Sequence, residues 1–246
     1  MRVFRRHPEE PAAAIAADAP GTSRRSVLIN VDPVRLPGDL VVPAEAMGVV
    51  VFAHGSGSSR HSPRNMEVAR RLNEASIGTL LFDLLTPAEA EDRRNVFDIE
   101  LLAERLEGAE RWLHRWPQVG TVPVGFFGAS TGAAAALVAA SRLGPDVAAV
   151  VSRGGRPDLA GEALGRVTAP TLLIVGGDDV EVLGLNEDAE RRLRCEKKLE
   201  VIPGATHLFE EPGSLEQVAD LASTWFARYL AEAGHGHRVT LAGLIR

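Results

Sequence analysis

Residues 125–132 read G-F-F-G-A-S-T-G, a G-x-S-x-G pattern with Ser130 at its centre. Its flanks decide what it means. An apolar run over 122–127 leads in and an Ala-rich run over 133–140 leads out, which predicts a strand turning sharply into a helix. At such a corner the central side chain sits on strained, exposed backbone, and glycines two residues to either side let the two backbones pass closely. Ser130 is therefore the expected nucleophile.

Working outward, the same alternation continues in both directions. Upstream, continuous apolar runs at 48–53 and 79–82 predict strands covered on both faces. Between them a helix over 64–75 places Met66, Ala69, Leu72 and Ala75 on one side. A long amphipathic helix over 97–116 carries Leu101, Leu102, Leu106, Ala109, Trp112 and Leu113, and Pro117 stops it. Downstream come a helix at 131–143, a strand at 147–151, a short helix at 157–164, a strand at 171–175, a helix at 183–193, a strand at 199–202 and a closing helix at 215–230. Two opening segments, 27–31 and 38–42, read as an antiparallel hairpin turning at Leu36-Pro37-Gly38. The sum is an α/β fold: a mostly parallel twisted sheet of about eight strands with helices on both faces. Residues 1–25, with no sustained period, read as a flexible arm, within which Pro11 and Pro20 confine a short Ala-rich helix at 12–17. Residues 26–232 form the domain, and 233–246 a tail whose His235 and His237 read as solvated rather than metal-binding.

Composition narrows the function. A chain of 246 residues with net charge −6 argues against a nucleic-acid partner. Its apolar runs fall short of the ~20 residues that span a bilayer. Arg2, Arg5 and Arg6 are followed by Pro8, Glu9 and Glu10, unlike a secretory leader. The single cysteine, Cys195, suits a reducing compartment. These features predict a soluble cytoplasmic protein that acts on a small molecule.

A serine hydroxyl needs a base, and the base needs an orienting acid. Functional residues in open parallel sheets gather past the carboxyl ends of strands. Two later strand ends supply them: Gly176-Gly177-Asp178-Asp179 and Pro203-Gly204-Ala205-Thr206-His207. His207 is the expected base, with Leu208 and Phe209 placed to wall its ring. Asp178 and Asp179 compete as its partner; the offset from Gly176 favours Asp179. Oxyanion donors are expected from the backbone N–H of Thr131 and from the loop His54-Gly55-Ser56-Gly57-Ser58-Ser59-Arg60, with Ser56 ahead of Gly57. That loop lacks G-K-[ST] and the third glycine of G-x-G-x-x-G, so nucleotide binding is not expected. His54 reads as a loop anchor. Arg60, His61, Arg64 and Arg153 fall at the same face, as a pocket for an anionic substrate with Arg60 and Arg153 foremost; the alternative is that Arg153 and Arg64 are structural ties to acids such as Asp83 or Asp158.

The segments VVVFAHGSGSSRHSPRN (49–65), GFFGASTGAAAAL (125–137), VVSRGG (150–155), TLLIVGGDD (171–179) and EVIPGATHLFEEPG (200–213) resemble the α/β-hydrolase superfamily, in its dienelactone-hydrolase-like branch. The resemblance implies Ser130 as nucleophile, Asp179 as acid, His207 as base, and Ser56 and Thr131 as oxyanion donors, with no cofactor or metal. It departs from dienelactone hydrolases at the nucleophile, where they carry cysteine. The stretch between Val151 and Thr171 is too short for a large cap. The expected activity is cleavage of a carboxylic ester, lactone or thioester through an acyl-enzyme. A non-catalytic scaffold that binds a ligand or partner, and an acyltransferase using the same three residues, are the alternatives.

Overall fold

The computed structural model describes residues 21–116 and 119–243, and side chains as far as residue 234. The expected arm up to residue 20, Pro117, and the side chains of His235 and His237 lie outside these. Eight strands form one sheet: β1 (Ser23–Val31), β2 (Val34–Val42), β3 (Val49–Ala53), β4 (Gly78–Phe82), β5 (Val124–Ala129), β6 (Val147–Arg153), β7 (Thr171–Gly176) and β8 (Lys197–Ile202). Their order is β1-β2-β4-β3-β5-β6-β7-β8. The β1–β2 and β2–β4 pairs are antiparallel, and every pair from β4–β3 onward is parallel. This is the architecture the alternation of buried strands and helices predicts.

The helices are α1 (Pro63–Glu74), α2 (Pro87–Ala90), α3 (Arg93–Val96), α4 (Ile99–Leu113), α5 (Thr131–Leu143), α6 (Val180–Arg192) and α7 (Ser214–Gly243). On one face of the sheet α4, α5 and α6 close a core around Phe126, Leu106, Leu137, Leu164 and Leu173. On the other, α1 and α7 cover Phe52, Phe127, Val151, Ile174 and Phe226. Helix α5 is buried at every position from Thr131 to Ala140. Its small alanines let it lie close between the sheet, α4 and the 3-10 segment Pro157–Arg166. That 3-10 segment is the main structure between β6 and β7, so no helical cap roofs the sheet end.

Four expectations change. Strand β1 starts at Ser23, inside the 1–25 segment expected as an arm, because Ser23–Val31 pairs along the whole of β2. The hairpin turns at Asp32-Pro33, not at Leu36–Gly38, which continues β2 with Ile29 opposite Leu36 and Gly38 opposite Phe82. A Cβ on Gly38 would sit 3.0 Å from that of Phe82, so the glycine answers a close strand approach rather than a turn. In α1 the inward residues are Asn65, Val68, Ala69 and Leu72, while Met66 is 47% exposed. The last helix runs past residue 230 to Gly243, into the segment expected as tail. Helices α2 and α3 were unsignalled by periodicity because four residues are too few to show one. Thr86 and Glu89 do form a capping box, and T-x-x-E was the signal available for it.

Candidate active site

The corner at Ser130 forms as its sequence requires. Strand β5 delivers the chain to Ser130, which takes φ 50°, ψ −121° as the N-cap of α5. Non-glycine residues enter that region at a cost of about 1–3 kcal/mol, borne only where the surroundings fix them. Here they do: Ser130 N–H donates to Arg153 O (3.2 Å), and Ser130 O accepts from Ala133 N–H (3.1 Å) and Arg156 N–H (3.0 Å). The two flanking glycines are needed for contact distance. A Cβ on Gly128 would lie 2.4 Å from Ala133 Cα, and one on Gly132 would lie 2.3 Å from Ala53 O.

Strands β7 and β8 carry the partners to the same sheet end. Strand β8 ends in a loop whose Phe209 adopts φ 56° and donates its N–H to Thr206 O, turning His207 outward. Asp179 is the N-cap of α6. His207 Nδ1–H donates to Asp179 Oδ2 at 2.7 Å, which leaves Nε2 as the free ring nitrogen. Asp178 is exposed, with its N–H tied to Ala205 O. The geometry thus pairs His207 with Asp179, not Asp178. Gly154, the residue after β6, packs beneath the imidazole: a Cβ there would be 3.5 Å from His207 Cε1. Because Ser130 hangs from the carbonyl of Arg153, the nucleophile corner and the histidine loop meet on the same short segment. Of the two expected walls, Phe209 is buried and Leu208 is 38% exposed.

The 54–60 loop borders a cavity of 390 Å³ lined by Ser56, Gly57, Arg60, Asp83, Leu84, Leu85, Val96, Leu102 and Thr131, among others. Helices α2 and α3 supply part of its wall through Pro87, Ala90 and Val96. Thr131 and Ser56 are brought together, but the Ser56 N–H donates to Thr131 Oγ1 at 3.0 Å and so is engaged within the protein.

His54 anchors this loop. Its Nδ1–H donates to Gly55 O (3.0 Å), and its Nε2 accepts the Leu84 N–H (3.2 Å). Only the neutral ring satisfies both. Burial lowers its pKa, against smaller raising effects from the Gly55 bond and Asp83. A histidine held below its unfolded value contributes stability in full above about pH 6.5, and loses it as pH falls through the folded value, because the unfolded chain takes up the proton first. His54→Asn should flatten the acid side of the stability curve. Thermal unfolding between pH 8 and 5 should show the wild type losing more of its Tm than the variant.

The four cations separate. Arg60 is committed: its N–H and guanidinium bind Asp83, and its Nε binds Asp39 Oδ2 at 3.2 Å. Arg60, expected as a possible substrate-binding cation, is thus already engaged by two carboxylates: Asp39, within β2, and Asp83, just past the end of the neighbouring β4. His61 is exposed. Arg153 meets no carboxylate among the described residues. It is 6% exposed, donates from Nη2 to Asn65 Oδ1 at 3.1 Å, lies 5.9 Å over the Phe209 ring, and keeps its Nε unpartnered. Burial, then the charge of Arg64, pushes its pKa down to about 10. Arg64 also has a buried, unpartnered Nε, and its nearest acid, Glu210, is 3.5 Å away. Asp158 pairs instead with Arg156. Asn65 was not anticipated, since a polar residue at the start of a helix reads as exposed.

Among the described residues no group of three or more His, Cys, Asp or Glu is placed to hold a metal, and no helix is long and apolar enough to cross a membrane.

An eight-stranded sheet of this order, with a serine on the β5–α5 corner and acid and histidine after β7 and β8, is the α/β-hydrolase fold. The sequence profile described as the Dienelactone hydrolase family matches residues 37–230, and the chain belongs to that family. A dienelactone hydrolase from Anabaena variabilis superposes with a TM-score of 0.83 at 55% identity, covering 85% of this chain and 99% of that one. Est1E from Butyrivibrio proteoclasticus shares the fold at 16% identity, with a TM-score of 0.72 and 84% and 99% of the two chains covered. A Mycobacterium tuberculosis H37Rv protein named as a phosphoribosyl transferase is 57% identical over 233 residues, 95% of this chain and 52% of its own length. The chain thus spans about half the length of the curated relatives it matches.

Proposed function

We propose that this member of the dienelactone hydrolase family is a serine hydrolase that cleaves a carboxylic ester, lactone or thioester through an acyl-enzyme on Ser130. The single observation that carries the reading is the 2.7 Å His207–Asp179 pair in a loop that packs on Gly154, next to the Arg153 carbonyl that holds the Ser130 corner. Ser130 Oγ attacks the carbonyl carbon as its proton passes to His207 Nε2. Asp179 stabilises the imidazolium, which then protonates the leaving group. Water, deprotonated by the same nitrogen, attacks the acyl carbon and frees Ser130. No cofactor enters these steps, and the setting is the cytoplasm, to which a lone cysteine is suited.

The absence of a cap favours small or accessible substrates. Leu84, Leu85, Val96 and Leu102 offer an apolar wall to one side of the elbow. Arg153 is buried, has no carboxylate partner among the described residues and directly precedes Gly154, which packs against the His207 ring; on this reading the preferred substrate carries an anionic group held by Arg153. Arg153→Ala should lower kcat/KM for an ester bearing a second, free carboxylate by roughly tenfold or more beyond its effect on the matching neutral ester. Equal losses on both would make Arg153 a structural residue only.

Transfer of the acyl group to an alcohol or amine would use the same Ser130 intermediate. A turnover panel of esters, lactones and thioesters, run with and without added alcohol, tests both readings. Hydrolysis products that persist undiminished in alcohol support the hydrolase. Failure to turn over any of them supports a binding scaffold.

A further inference from the structure

The Ser56 N–H, expected ahead of Gly57 as the second oxyanion donor, is not free. Ser56 N–H points at Thr131 Oγ1, 3.0 Å away. Thr131 directly follows Ser130, is 5% exposed, and lines the cavity beside the elbow. A hydroxyl that accepts one hydrogen bond still has its own proton to give, and among the described residues the Thr131 hydroxyl meets no acceptor. We infer that the Thr131 side-chain hydroxyl is itself a catalytic residue, donating its hydrogen bond to the oxyanion that forms when Ser130 attacks.

This inference rests on the serine-hydrolase reading above. As the Ser130 Oγ–C bond forms, the carbonyl π pair moves onto oxygen and a full negative charge appears there. Thr131 then serves that oxygen twice. Its backbone N–H, at the first position of α5, has no partner within the helix. Its hydroxyl rotates about Cβ–Oγ without releasing the Ser56 N–H. The resulting chain, Ser56 N–H to Thr131 O–H to oxyanion, polarises the hydroxyl and strengthens the last bond. No proton is transferred along it; the charge is held until the carbonyl reforms and the leaving group departs. Ser56 thus contributes through Thr131 rather than by direct contact.

The competing arrangement, in which the Ser56 N–H swings to the oxyanion itself, predicts the opposite response to loss of the hydroxyl. Thr131→Val keeps the backbone donor and the shape, removes the hydroxyl, and frees the Ser56 N–H. With p-nitrophenyl acetate and the full chain, Thr131→Val should lower kcat by about 10²–10³-fold, the usual cost of one oxyanion donor. KM should stay within about threefold of wild type, as expected when only a transition-state contact is lost. The inhibition constant of phenylboronic acid, which mimics the tetrahedral species, should rise with the fall in kcat. Thr131→Ser should restore most of the activity, and Thr131→Ala replaces the valine variant if thermal unfolding shows that variant to be unfolded. A hydroxyl-free variant that folds and keeps kcat within about threefold of wild type overturns the assignment. A wild type that neither turns over the ester nor accepts a fluorophosphonate on Ser130 overturns the hydrolase reading, and the Thr131 role with it.

Discussion

Ser130→Ala is expected to reduce kcat for ester cleavage by about 10⁵–10⁶-fold, leaving only the residual rate that a preformed oxyanion site can give. The size of the loss follows from the chemistry. Alanine removes the atom that forms the acyl bond, and no second nucleophile is held at the corner in its place. The variant should fold, because the strained φ of 50° is fixed by backbone hydrogen bonds to Arg153, Ala133 and Arg156, none of which uses the Ser130 side chain. Steady-state kinetics with matched unfolding curves check this. A variant retaining more than about one per cent of wild-type kcat would place the nucleophile elsewhere.

Asp179→Asn should cost about 10⁴-fold in kcat with little change in KM. Asparagine preserves the volume but can present its NH₂ to His207 Nδ1, which then favours the tautomer that protonates Nε2. In that form the imidazole cannot accept the serine proton. The neighbouring Asp178→Asn should stay within about threefold of wild type, since Asp178 is exposed and meets the histidine loop only through its backbone N–H to Ala205 O. The two variants differ by one position and by some three to four orders of magnitude in expected rate. Comparable losses in both would mean that the acid is shared or displaced during turnover.

Much of this site is legible in the sequence. Buried parallel strands announce themselves as apolar runs, and the order serine, acid, histidine after three of them places all three at one sheet end. The offset from Gly176 favours Asp179 over Asp178, and the 2.7 Å bond between His207 and Asp179 is the contact that separates the two neighbours. The arginines were beyond sequence. Arg60 meets Asp39 and Asp83 because β2 lies beside β4 in the sheet, and Arg153 meets Asn65 of α1 rather than an acid. Charges far apart in the chain are paired by topology. The hairpin turn was misplaced because Leu36-Pro37-Gly38 has the composition of a turn, whereas Gly38 serves the contact with Phe82. The engagement of the Ser56 N–H by Thr131 is a contact across 75 residues, and no local pattern signals it.

The central claim is that Ser130 is an activated nucleophile. Incubating the folded protein with a fluorophosphonate and mapping the adduct by peptide mass spectrometry tests it most directly. The account predicts one phosphonyl group per chain, carried by the peptide containing Ser130, absent after denaturation, and strongly slowed in Asp179→Asn. An unmodified Ser130 in folded protein, or equal labelling of folded and denatured chains, would contradict it.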